Sequence, residues 1–172
     1  NENWCMIGYH SVSVLADAVA KGLPLDKEEV LKAMVSSSTI PYLDGTGEYM
    51  EKGYVALDHN GSAASLTLEY AYDDWTIYHT ALLAGNRSVA DTYKKRAAYY
   101  ANVFDTRIGY ARPRYADGRW KENFNLLNTH GEGFIEGNAL NYSFYVPQDV
   151  DNMIRLMGGD KSFVSKLDSL FT

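Results

Sequence analysis

At 172 residues, 46% apolar and 22% charged, the chain has the make-up of one soluble globular unit with material for a sizeable core. Its net charge of -6 gives no electrostatic footprint for nucleic acid or an anionic membrane, and no apolar run approaches the roughly 20 residues that cross a bilayer. A lone cysteine, Cys5, excludes an internal disulfide. The chain opens on Asn1 rather than Met, so Asn1 is not expected to be the start of the natural product, and targeting is left undecided.

Taken in order, Val12, Leu15, Ala16 and Val19 form one helical stripe, ended by Gly22 and Pro24. A second helix starts at Asp26, with Glu29 three residues on as a capping-box partner and Leu25 and Val30 as a hydrophobic staple; Leu31, Met34 and Val35 supply its core face. Residues 40–62 hold Pro41, Gly45, Gly47, Gly53 and Gly61, which predicts a loop with at most a short helical turn. Over residues 65–83 the helical period is strongest. Leu68, Ala71, Trp75, Tyr78 and Leu82 line one side and Leu66, Tyr70, Ile77 and Ala81 another, leaving a narrow polar sector with Glu69, Asp73, Thr76 and Thr80. Asp74 falls between the two apolar stretches, which makes it the buried charge of the pair Asp73-Asp74 and either a pocket residue or a structural cap.

Asn86-Arg87-Ser88 suits another helix start, and Val89, Tyr93, Ala97, Tyr100 and Phe104 carry that helix to about Asp105. Residues 106–133 mix Gly, Pro, Asn, Arg and aromatics without a period and predict a long ordered loop. After Pro147, Asp149 and Asp160 are expected to cap two last helices. The predicted class is all-α, with the alternation of long and short connections that stacked helical hairpins produce.

Patterns for metal, phosphate or nucleophile-elbow chemistry do not occur: there are no paired cysteines, no His-x-x-x-His and no Gly-rich loop ending in Lys-Ser/Thr. The four histidines stand singly, and His10 is distinguished only by following Gly8 at a helix entrance, where a side chain can point into a cleft. With 14 Tyr and 3 Trp against 6 Phe, most aromatics carry a polar tip, which suits sugars and helix packing alike. The pentad Phe134-Ile135-Glu136-Gly137-Asn138 sets one carboxylate among apolar and amide neighbours. Withdrawn from water, such a carboxyl resists ionisation and can serve as a proton donor; beside Gly137 it can equally be a turn residue. Asn138 can hold a sugar hydroxyl or the acid, or brace the turn.

Several blocks in order resemble glycoside hydrolase family 92, the calcium-dependent exo-acting α-mannosidases. They include Cys5-Met6-Ile7-Gly8 with His10, Glu51-Lys52-Gly53-Tyr54-Val55, Leu68-Glu69-Tyr70-Ala71-Tyr72-Asp73-Asp74-Trp75, Arg112-Pro113-Arg114, and Glu136-Gly137-Asn138-Ala139. Val146-Pro147 with Asp149, and Leu156-Met157-Gly158-Gly159, complete the series. The resemblance implies that residues 1–172 are a single helical domain, a partial (α/α)6 toroid. It gives Glu136 the role of general acid in cleavage of terminal α-mannosidic linkages, α-1,2 being the expected one, with inversion. Asn138, His10 and Asp74 are the substrate-binding candidates. Calcium is implied as cofactor, with ligands largely outside this chain, as is a secreted, periplasmic or cell-surface location.

The family's base block and its Asn-Glu-Pro-Ser-His-type block are both missing, so the isolated chain is expected to be inactive. Departures stand near the acid too: Leu140-Asn141-Tyr142 replaces Trp-Gln-Tyr, Phe144 and Gln148 stand where Trp and His are usual, and Tyr9 replaces a common acidic residue. The expected partner is a mannose-containing glycan, with self-association through exposed helix faces as a further expectation. The alternatives are another (α/α)6 carbohydrate hydrolase, such as a trehalase-like one, and a non-catalytic helical scaffold that binds glycan or protein.

Overall fold

A computed structural model describes residues 7–171. Cys5 and Met6, which open the first family block, lie outside the described residues. Local chemistry sets most helix starts. Helix α1 (Ser11–Ala20) buries Val12 and Val19 and ends before Gly22, whose φ of 75 suits glycine. In α2 (Lys27–Ser37) the Asp26 carboxylate accepts the amides of Glu28 and Glu29, which also place negative charge at the positive end of the helix dipole. The short turn inside the glycine-rich loop is α3 (Thr46–Lys52), bounded by left-handed Gly45 and Gly53.

Helix α4 (Ala63–Leu83) is the axis of the fold, and it divides its surface three ways. Ala64, Leu68 and Ala71 pack into a core with Tyr100, Val103, Phe134, Ala139, Val146 and Met157. On another side, Leu66, Tyr70, Ile77 and Ala81 join Val12, Leu31, Met34, Tyr49 and Tyr93. Burying each large aliphatic side chain stabilises the fold by about 1.5–3 kcal/mol, so α4 holds both cores to one rod. The polar sector lies between them and is buried as well: Glu69 is 8% exposed and Asp73 0%. Toward its C-terminal end the expected stripe leaves the core, with Leu82 45% exposed.

Helix α5 (Arg87–Arg96), started by the Asn86 side chain accepting the Val89 amide, packs along α4. It stops earlier than the period predicts. A 3-10 turn (Tyr99–Val103) follows, and then a hairpin of β1 (Phe104–Asp105) and β2 (Tyr110–Ala111), with Phe104 opposite Ala111 and Asp105 opposite Tyr110. Asp105 takes both Arg107 and Arg112, so the hairpin is closed by charge as well as by its ladder. The predicted loop continues from there; in it the Arg114 guanidinium lies between the rings of Tyr54 and Trp120, at 5.0 and 4.8 Å.

The chain closes with α6 (Ala139–Tyr142), α7 (Val150–Leu156) and α8 (Asp160–Asp168). Asp149 caps α7 as expected, accepting from the Asn152 amide. Asp160 does not cap α8: Gly159, at φ 88, occupies the cap position and Asp160 is the first helical residue. The class is all-α, with one two-stranded hairpin among the described residues.

Candidate active site on the polar face of helix α4

Five polar residues, Ser65, Glu69, Asp73, Thr76 and Thr80, share the polar sector of α4 at steps of four and three. Thr76 and Thr80 donate back to their own helix, to the carbonyls of Asp73 and Thr76. The other three reach across to distant segments. Asp73 Oδ2 accepts the Tyr9 amide at 2.8 Å, and its Oδ1 lies 2.8 Å from His10 Nδ1. The other imidazole nitrogen, Nε2, lies 3.3 Å from Glu69 Oε2.

His10 is thus clamped at both nitrogens by carboxylates. Asp73 and then Glu69 push its pKa up to about 10, so it is an imidazolium at neutral pH, with Nδ1–H donating to Asp73 and Nε2 in an ion pair with Glu69. Burial pushes Asp73 up, and the contact with His10 opposes that rise. Gly8 makes the approach feasible: at φ 92, a Cβ there would stand 2.7 Å from His10 Nε2.

Glu69 Oε1 accepts the Tyr142 hydroxyl at 2.8 Å. Burial and the Glu69 charge push the Tyr142 hydroxyl up, which keeps it a protonated donor. One helical turn earlier, Ser65 Oγ accepts the Ile135 amide at 3.2 Å. Helix α4 therefore grips both flanks of the Glu136 loop. Around it runs an aromatic wall in which Tyr72 meets Trp75 at 6.1 Å and Tyr145 at 5.8 Å, while Tyr142 meets Tyr145 at 6.3 Å and Phe134 at 6.1 Å.

Glu136 itself differs from expectation in one respect. Phe134 and Ile135 are buried, but Glu136 is exposed, with a left-handed φ of 53. Its apolar neighbours turn inward and leave the carboxylate outside, so the local sequence does not withdraw it from water. For a non-glycine residue that backbone conformation is uncommon and costs of order 1 kcal/mol, a cost met here by the anchors on either side. Asn138 braces the turn: its Oδ1 accepts the amides of Leu140 and Asn141, and Asn141 returns a bond to the Asn138 amide, which completes a capping box for α6. Gly137 lies under the Tyr142 ring, where a Cβ would stand 2.9 Å from Cδ2.

Asp74 lies apart from this face. It is 0% exposed and accepts Arg96 Nε at 2.8 Å, the Tyr9 hydroxyl at 2.7 Å and the Tyr49 hydroxyl at 3.0 Å. Burial pushes its pKa up to about 6 against the pull of Arg96, which leaves it ionised at neutral pH. Enclosed in this way, Asp74 is a structural ion pair rather than a pocket wall. Gln148 is a further departure: both polar atoms of its side chain are buried without a partner among the described residues.

The structure thus brings His10, Asn138 and Glu136 to segments joined through α4, and leaves Asp74 turned from that face toward Arg96 and Tyr49. Glu69, Asp73, Ser65 and Tyr142 complete the face and were not among the expected site residues. A signal for the first two was present: a polar sector on an otherwise apolar, buried helix needs partners. Those partners lie more than 60 residues away, beyond the reach of local pattern. Among the described residues no group of three His, Cys, Asp or Glu is arranged to hold a metal. Glu69 and Asp73, the carboxylate pair of this face, are bridged by a cationic imidazolium, so these residues do not fit a calcium site.

A helical scaffold that presents an anchored carboxylate beside a polar-tipped aromatic wall has the character of a glycoside hydrolase. The profile of the glycosyl hydrolase family 92 catalytic domain matches residues 1–172, and the chain belongs to that family. A family GH92 α-mannosidase from Bacteroides thetaiotaomicron is 39% identical, with a TM-score of 0.94 over 100% of this chain and 23% of its own. The same protein solved with mannoimidazole aligns at 37% identity and the same TM-score, covering 99% of this chain and 23% of that one. A GH92 inverting mannosidase from the same bacterium is 33% identical, with a TM-score of 0.92 over 98% of this chain and 24% of its own. Among curated proteins, an uncharacterized secreted glycosidase of Arthroderma benhamiae is 26% identical over 95% of this chain and 26% of its own length. The chain therefore spans about a quarter of the length of these relatives. The all-α fold expected of an (α/α)6 mannosidase is the fold shared with them. No helix among the described residues is long and apolar enough to cross a membrane.

Proposed function

We propose that this segment supplies the proton donor, Glu136, of a longer α-mannosidase that cleaves terminal α-mannosidic linkages, α-1,2 in the first instance, with inversion. The carrying observation is the setting of Glu136: an exposed carboxylate at φ 53, anchored on both flanks by α4 and beside the aromatic wall. The family, an inverting relative and a relative solved with mannoimidazole support the sugar and the stereochemistry. Glu136 donates its proton to the leaving glycosidic oxygen.

In an inverting enzyme a second carboxylate stands roughly 6.5–9.5 Å from the acid and activates water on the opposite face. Glu69 and Asp73 are both committed to His10, so neither is free to act as that base, and the base comes from outside this chain. Calcium, where the full-length enzyme uses it, takes its ligands there as well. Secretion is proposed on the strength of the fungal relative alone.

Replacing Glu136 with Gln in the full-length enzyme tests the assignment. Hydrolysis of mannosides with poor leaving groups should fall by about 10²–10⁴-fold, while activated aryl mannosides, which need little protonation, lose far less. Equal losses on the two substrates would remove Glu136 from the donor role.

A further inference from the structure

We infer that Tyr142, held by Glu69 and His10, is the positioning residue that fixes the Glu136 loop for proton transfer. This rests on the donor reading above and adds to it the device that aims the donor. The chain of contacts is continuous. Asp73 Oδ1 takes His10 Nδ1 at 2.8 Å, His10 Nε2 faces Glu69 Oε2 at 3.3 Å, and Glu69 Oε1 takes the Tyr142 hydroxyl at 2.8 Å. The Tyr142 ring then covers Gly137, the residue after Glu136, closely enough that a Cβ there would meet it at 2.9 Å.

Each link has a physical reason. Glu69 and Asp73 stand one turn apart on a buried face, where two carboxylates alone would repel, and the His10 cation between them makes the arrangement tolerable. By occupying Oε2, His10 directs the other oxygen of Glu69 toward Tyr142. The hydroxyl bond sets the height of the ring, and the ring is the floor under the loop. On the other flank, Ser65 holds the Ile135 amide. Glu136 between these two anchors keeps its left-handed backbone, and without the Tyr142 floor it would relax toward ordinary φ values. Misplacement of an acid by about 1 Å is enough to cost up to 10²-fold in rate.

The variant Tyr142→Phe keeps the ring packed against Phe134 and removes only the hydroxyl. In the full-length enzyme it should lower kcat about tenfold on a mannoside with a poor leaving group, with KM and the rate on an activated aryl mannoside within about twofold. Added to Glu136→Gln it should cause no further loss, because an absent donor needs no aiming. Equal loss on both substrates, or an additive loss in the double variant, would overturn the inference and leave Tyr142 with a merely structural role. A second readout is independent of the donor chemistry: amide hydrogen exchange of Ile135 and Asn138, whose amides donate to Ser65 Oγ and Asn141 Oδ1 on either side of Glu136, should quicken at least about tenfold in Tyr142→Phe and in Glu69→Leu. Unchanged exchange in both would also overturn it. Failure of the donor reading would instead show in Glu136→Gln alone, as equal losses on both substrates while the exchange still quickens.

Discussion

Asp73 and Asp74 are adjacent, equally buried and ionisable, yet they point about 100° apart around α4 and do different work. Asp73 faces the polar sector and holds His10 and the Tyr9 amide. Asp74 faces α5 and meets Arg96, while the Tyr9 and Tyr49 hydroxyls fill its remaining acceptor positions. A pair buried this completely is weak evidence for net stabilisation, but loss of one partner leaves an unpaired charge in the core. Asp74→Asn should therefore cost about 3–5 kcal/mol in urea unfolding, and a cycle that pairs it with Arg96→Met should show coupling rather than additivity. A cost below about 1 kcal/mol, together with a raised KM, would return Asp74 to the substrate pocket.

At the scale of elements, the imidazolium of His10 joins the entrance of α1 to the middle of α4, and this joint is sensitive to pH. The folded pKa of about 10 lies above the ordinary 6.5 of histidine, so its contribution to stability is complete below about pH 6.5 and is lost as pH rises through about 10. Comparing urea midpoints of the protein and His10→Gln from pH 6 to 10.5 should show the gap between them narrowing steadily; a gap that does not change with pH would remove the charge from the explanation. Elements were legible wherever their causes are local. Asp26, Asn86 and Asp149 start helices through side chains that reach their own next turn. Errors fell where the cause is distant or conformational: α5 gives way to a hairpin whose partner strand lies several residues on, and Gly159 takes the cap position from Asp160 through a positive φ. The site divides the same way. Glu136 and Asn138 stood out as a motif, whereas the roles of Glu69 and Tyr142 depend on residues 73 positions apart meeting in space.

For the molecule as a whole, the assembled face holds the proposed acid, Glu136, and its supports but no free second carboxylate among the described residues. Glu69 gives one oxygen to Tyr142 and faces His10 with the other, and Asp73 is divided between His10 and the Tyr9 amide. Freeing either to activate water would break the clamp that holds α1 to α4. Inverting hydrolysis needs both carboxyl groups in one site with room for water between them, and on the proposed reading this face offers Glu136 alone. The 172-residue chain, purified alone and supplied with calcium, should accordingly release no mannose from α-mannosides above the uncatalysed rate. Circular dichroism on the same sample would establish that the helices are formed, so that inactivity is not a failure to fold. Calcium-dependent release of mannose by that sample would show that a base lies within these residues, with Glu69 the first to substitute, because it is the partly accessible member of the two.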